Sequence, residues 1–195
     1  MLAAVILSGG ASRRMGSPKA LVPYRGSTFL EHLVNVTVQP RIGARRIVLG
    51  AHAELIAKAI HLPAGEIVIN EEWEKGQLSS LQTALRSLPA ATDGILLCLV
   101  DHPLISAMLV RDLIDRFYSA KKPIVVPCHQ GRRGHPVIFS SSLYEELLHA
   151  PLESGARTVV RAHADEVEEL STEEEGCVLN INDPDALQKA LLRAD

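Results

Sequence analysis

The feature that most constrains this chain is its first nineteen residues, in which an apolar run passes directly into the glycine-rich stretch SGGASRRMGSPK. The run is too short to cross a bilayer and has no basic leader ahead of it, so it reads as a buried strand of a protein that stays in the cytoplasm. A buried strand ending in a glycine turn that opens toward a helix is how α/β proteins build an anion site, because unpaired backbone N–H groups converge there. Gly9 and Gly10 supply that turn.

The rest of the chain repeats the alternation. Short β-branched or aliphatic runs predict strands at residues 3–7, 46–50, 66–70, 94–100, 123–127 and 135–139. Between them, apolar residues three or four apart predict helices at about 53–60, 78–87, 107–118 and 155–162. Thr28 with Glu31, and Ser142 with Glu145, form capping-box patterns ahead of two more helices. Asp183 followed by Pro184 marks the start of a last helix ending near Leu192. The expected fold is α/β: a three-layer, Rossmann-like, mostly parallel sheet with helices on both faces.

Composition narrows the function. With 195 residues the chain is expected to form a single domain spanning 1–195. A net charge of −3 and a pI near 6.2 oppose nucleic-acid or anionic-membrane partners, which need clustered Lys and Arg, and leave a small molecule. Cys98, Cys128 and Cys177 are odd in number and lack CxxC spacing, so they are expected to be reduced packing residues. Cys128, His129 and His135 match no zinc template. The acidic run at 165–175 reads as solvated surface with no chemical role.

Two common phosphate loops fail on the glycine spacing. GxGxxG is absent because the glycines fall at 9, 10 and 16, and GxxxxGK[ST] fails because Ser17 follows Gly16. What remains is GGxSxRMGxxK, which adds fixed cations to the turn. Arg13 or Arg14, together with Lys19, could neutralise a triphosphate. Asp101 follows the predicted strand GILLCLV, and open α/β sheets place ligands at such carboxyl ends.

LSGGASRRMGSPKAL resembles the signature of the MobA-like NTP transferase family, which includes the molybdenum cofactor cytidylyl- and guanylyltransferases and reads LAGGxSxRMGxxKxL; Ser8 departs from it. The resemblance implies the nucleotide-diphospho-sugar transferase type of sheet and a nucleotide site on Leu7, Ser8, Gly9, Gly10, Arg13, Arg14 and Lys19. Gly76, Ser79 and Ser80 are similar to the family's GxxxSL segment beside base and ribose, although a serine there also suits a helix cap. Asp101-His102-Pro103-Leu104 resembles DMPL, whose Asp binds Mg²⁺, and the NIND segment puts Asn182 where the second metal ligand stands. An amide there removes a charge, and Asp183 is the alternative ligand or the helix cap. GHPVIF is similar to the cytidylyltransferase element GHPVLF and HAPLESGAR to its GDxGAR, with Leu152 and Glu153 departing from that pattern; Arg132, Arg133 and His135 would face a phosphorylated acceptor.

The implied reaction is attack of an acceptor phosphate on the α-phosphate of an NTP, with release of pyrophosphate. Arg14, Lys19 and Asp101 are the expected catalytic residues, Arg133 and His135 the acceptor contacts, and Asp101 and Asn182 the Mg²⁺ holders. GHPVIF points toward CTP and molybdopterin, while methylerythritol phosphate and sugar phosphates stay open as acceptors. A rival is a non-catalytic module that holds a nucleotide-bearing cofactor and hands it to an apoenzyme partner. A Rossmann-type dehydrogenase is opposed by the missing GxGxxG and by the lack of an acidic residue at the expected distance.

Overall fold

The computed structural model describes residues 1–191. The N-terminal run forms β1 (Leu2–Ser8), buried along its whole length. A two-residue hairpin, β2 (Pro23–Tyr24) and β3 (Ser27–Thr28), leads into α1 (Phe29–Val36). There follow β4 (Ile42–Leu49), α2 (Ala53–Ala59), β5 (Ile67–Ile69), α3 (Gln77–Arg86), β6 (Gly94–Leu99) and α4 (Ala107–Ala120). The second half adds β7 (Ile124–His129), β8 (Arg132–Arg133), β9 (Val137–Ser140), α5 (Tyr144–His149), α6 (Arg157–Ala162), β10 (Val167–Ser171) and α7 (Pro184–Leu191).

The main sheet runs in the order β10-β7-β9-β6-β1-β4-β5, with β8 paired to β7. β1 lies parallel between β4 and β6, and only β9 and β8 run against the common direction. The sheet is therefore mixed but mostly parallel, as expected. Side chains of β1 alternate between two cores, the signature of a strand covered on both faces. Leu2 and Ile6 pack with Leu30 and Leu33 of α1, Ile56 of α2 and Leu113 of α4. Ala3, Val5 and Leu7 pack with Leu81 of α3, Leu147 of α5 and Val159 of α6. Each fully buried leucine in these layers contributes about 1.5–3 kcal/mol of apolar transfer energy, before cavity costs.

Local signals explain several elements. Thr28 Oγ1 accepts from the Glu31 backbone N–H at 3.3 Å, and the Glu31 carboxylate accepts from Thr28 N–H at 2.8 Å, so the expected capping box forms. Asp183 Oδ1 accepts from Ala186 N–H at 2.8 Å, capping α7. The expected end of that helix near Leu192 lies outside the described residues. Other expectations need correction. Helix α5 begins at Tyr144, after a 3-10 turn over Ser141–Leu143 whose cap is Ser140, so Ser142 and Glu145 form no capping box. The acidic run is not merely solvated surface: it contains the edge strand β10, parallel to β7. A strand ladder is made by backbone groups and needs no apolar outer face, and charged side chains on an edge discourage further pairing.

The three cysteines are unpaired and buried, as expected, with the Cys98 thiol pushed up to about 12 and Cys177 to about 11, each chiefly by burial. Among the described residues no helix is long and apolar enough to cross a membrane.

Candidate functional site

Because β1 has β4 on one side and β6 on the other, the chain reverses its winding at β1, and the carboxyl ends of β1 and β6 open a crevice. A cavity of about 300 Å³ lies there. Of the residues expected to bind nucleotide, Leu7, Ser8, Gly9, Gly10, Lys19, Gly76 and Ser80 line it, together with Asp101. Arg13 and Arg14 are exposed in the loop above and do not line it.

The loop is held by its own backbone. Gly9 O accepts from Ala51 N–H at 3.1 Å, and Ser12 O from Met15 N–H at 2.9 Å. Ser12, at φ 50, turns its hydroxyl to accept from Lys19 N–H at 3.0 Å. Helix geometry is missing where the sequence pattern suggested it. The loop runs into a single 3-10 turn, Lys19–Leu21, before the β2–β3 hairpin. The loop thus presents its own backbone N–H groups and not the start of a following helix, while the N-terminus of α3, at Gly76 and Gln77, borders the same cavity.

Lys19 is the focus of the charge arrangement. Its Nζ donates to Asn182 Oδ1 at 2.6 Å and stands 3.8 Å from Asp101 Oδ2. Burial lowers its pKa most, Asp101 opposes that, Arg14 adds to it, and Asp183 opposes it again. The 81-residue separation of Asp101 from Asn182 is bridged by one backbone bond, Ile181 N–H to Asp101 O at 2.7 Å. Asp101 and Asn182 offer a carboxylate and an amide oxygen, both hard donors. Among the described residues no group of three or more His, Cys, Asp or Glu is gathered to hold a metal ion. Two protein oxygens suit a Mg²⁺ ion that brings waters and phosphate oxygens with it.

The two serines of the GxxxSL-like segment differ. Ser79 Oγ donates toward Gly76 O and Glu72 O at 2.8 and 3.1 Å, so it braces the turn before α3. Ser80 Oγ accepts from Asn70 Nδ2 at 2.9 Å, which leaves its own proton to face the cavity.

The expected acceptor contacts lie elsewhere. Arg133 sits on β8 and is exposed, and its Nε pairs with Glu169 Oε1 on β10 at 2.6 Å. His135 packs against His102, ring centroids 4.7 Å apart, and the Nδ1 of each is buried without a partner. His135 is pushed down to about 4 by burial first and His102 next, with Asp101 acting the other way. Neither Arg133 nor His135 lines the cavity at the glycine loop.

Sequence reasoning passed over three residues. Trp73 lines the cavity from the connection between β5 and α3, Asn70 orients both serines, and His102 contacts His135. A lone Trp and a lone Asn in connections carry no periodic signal. His102 was visible only as the residue that replaces Met in DMPL.

A glycine loop at the switch point of a Rossmann-like sheet, with a lysine between two oxygen donors, defines a nucleotide-binding α/β protein. Residues 4–167 match the MobA-like NTP transferase domain, and the chain belongs to that family. Among its relatives is the nicotine blue oxidoreductase of Paenarthrobacter nicotinovorans, 34% identical over 145 residues, which are 71% of each chain. A protein of Bacillus cytotoxicus, named as a probable molybdenum cofactor guanylyltransferase, is 33% identical over 64% of this chain and 62% of its own length. The crystal structure of Rv0371c from Mycobacterium tuberculosis superposes with a TM-score of 0.86 at 30% identity, covering 98% of this chain and 97% of that one. Its manganese complex superposes at 0.82, with 28% identity and 98% of each chain covered.

Proposed function

We propose that this chain, acting as one domain in the cytoplasm, is a Mg²⁺-dependent nucleotidyltransferase that transfers CMP from CTP to a phosphorylated acceptor, molybdopterin. The observation that carries the reading is the convergence of Lys19, Asp101 and Asn182 at the mouth of the glycine loop. An oxygen of the acceptor phosphate attacks the α-phosphorus, the bond to the bridging oxygen of the β-phosphate breaks, and pyrophosphate leaves with the electron pair. The protein's part is to align the two anions and to stabilise charge on the transferring group. Lys19 and Arg14 neutralise phosphate oxygens, Gly9 and Gly10 let the backbone approach them, and Gly76 and Ser80 flank the base and ribose. Asp101 and Asn182 are the residues that would hold Mg²⁺, whose charge would offset that of the phosphates. The manganese complex of the Rv0371c structure supports a divalent cation in this fold.

The choice of CTP rests on GHPVIF, whereas a relative's name points to guanylyl transfer. Arg133 and His135 are proposed to face the acceptor; methylerythritol phosphate and sugar phosphates are the alternatives. One observation favours a second reading, a non-catalytic module that binds nucleotide and delivers it to an apoenzyme. The amide of Asn182 gives its oxygen to Lys19, so the metal site lacks the second carboxylate. Pyrophosphate release with Mg²⁺, across the four NTPs and a panel of phosphorylated acceptors, separates the two. Turnover that Asp101→Ala abolishes supports transfer, and silence in every combination supports the module.

A further inference from the structure

The chain contains one tryptophan, and it lines the nucleotide cavity. Trp73 opens the 3-10 turn Trp73–Lys75 that links β5 to α3, so it enters from the β4–β5 side of β1. Asp101 and Lys19, which mark the phosphate end, belong to the β6 side. The root of the indole is fixed: a Cβ added at Gly50 would lie 2.7 Å from Trp73 Cβ and 2.9 Å from its Cγ. A Cβ added at Gly9 would lie 3.8 Å from the same Trp73 Cβ, so the root of the side chain sits against the phosphate loop.

The rest of the ring is uncommitted. Among the described residues no aromatic ring stacks on Trp73 and no cation sits over it. Among the described residues its indole N–H has no hydrogen-bond partner, although buried or half-buried indoles usually find one. A half-buried π-face at the rim of a polar cavity is suited to a flat, apolar-faced ligand group. Ser80, whose free proton also faces the cavity, supplies a donor beside it.

We infer that Trp73 is the platform on which the nucleobase stacks, with Ser80 donating to an acceptor atom of the base or ribose. The inference rests on the nucleotide-binding reading above and extends it to base recognition. Stacking of this kind tolerates every base, because each has a π-face, so Trp73 sets affinity for nucleosides over bare phosphates and leaves the choice among bases to polar groups.

The test uses the full-length protein with Mg²⁺, read by calorimetry and by the emission of its single tryptophan. Saturation with CTP or GTP should change that emission, while inorganic tripolyphosphate should displace nucleotide without reproducing the change. Trp73→Leu should weaken nucleotide binding roughly 5- to 150-fold, the equivalent of one stacked base, and leave tripolyphosphate within about twofold. Trp73→Phe, which keeps an aromatic face, should stay within about fivefold of the parent. Nucleotide binding that leaves the emission unchanged overturns the platform without any variant. Equal weakening of nucleotide and tripolyphosphate in Trp73→Leu also overturns it, by showing that the indole only shapes the loop. A wild-type protein that binds tripolyphosphate but no nucleotide overturns the nucleotide reading and the platform together.

Discussion

Lys19 Nζ donates to Asn182 Oδ1 at 2.6 Å, although 163 residues separate them. The amide accepts that bond without adding negative charge; the carboxylate paired with Lys19 is that of Asp101, at 3.8 Å, and Asp183 adds a weaker favourable charge. Asn182→Asp restores a second carboxylate. It should tighten the apparent affinity for Mg²⁺, measured as the concentration that half-saturates nucleotide binding, by about tenfold, or ~1.4 kcal/mol. An unchanged Mg²⁺ dependence would remove Asn182 from the metal site.

Gly50 and Gly10 look alike in the sequence and differ in the structure. A Cβ at Gly50 would fall 2.5 Å from the Gly9 carbonyl oxygen and 2.7 Å from Trp73 Cβ, so backbone must move, whereas Gly10 has nothing within 4 Å. Gly50→Ala should cost about 1–3 kcal/mol of stability in urea unfolding and weaken nucleotide binding as well. Gly10→Ala should leave stability within about 0.5 kcal/mol of the parent and weaken only triphosphate binding, since its open space is what a phosphate would fill. A destabilised Gly10→Ala with unchanged binding would contradict that assignment.

What was legible in the sequence followed from local rules. Strand β1, the glycine turn and the Thr28–Glu31 box each depend on residues a few positions apart. The meeting of Lys19 with Asp101 and Asn182 is non-local: the strand-end rule points to Asp101, and the family resemblance alone points to Asn182. Trp73 and Asn70 act through contacts made by connections, where hydrophobic period carries no information. Strand β10 was hidden because four of the seven residues from Glu168 to Glu174 are glutamates, and their side-chain chemistry masks a backbone ladder.

Glu174 shows that the acidic run has structural work. Its carboxylate accepts from Ser106 N–H and from Ser106 Oγ, both at 2.6 Å, while Ser106 Oγ accepts from Leu109 N–H at the start of α4. The cap of α4 is thus oriented by a residue 68 positions away. Glu174→Ala should cost about 1–2 kcal/mol, at the level of a lost helix cap, in chemical denaturation. A variant as stable as the parent would mean that Glu174 adds nothing to the cap of α4.

His135 makes the fold sensitive to acid. Burial and the neighbouring His102 push its folded pKa to about 4, against 6.5 for the free side chain. Between those values the unfolded chain binds a proton that the folded chain refuses, so stability falls as pH drops through that window and is fully present above 6.5. Protonation would place a charge on a ring whose Nδ1 is buried and unpartnered. Unfolding free energies in urea should therefore fall between pH 7 and pH 4.5 by on the order of 1–3 kcal/mol more in the parent than in His135→Asn. His102, lowered by the same burial, leaves the variant a residual acid sensitivity. Equal losses in the two proteins would mean that His135 is protonated as readily in the folded chain as in the unfolded one, and that its burial beside His102 does not hold it neutral.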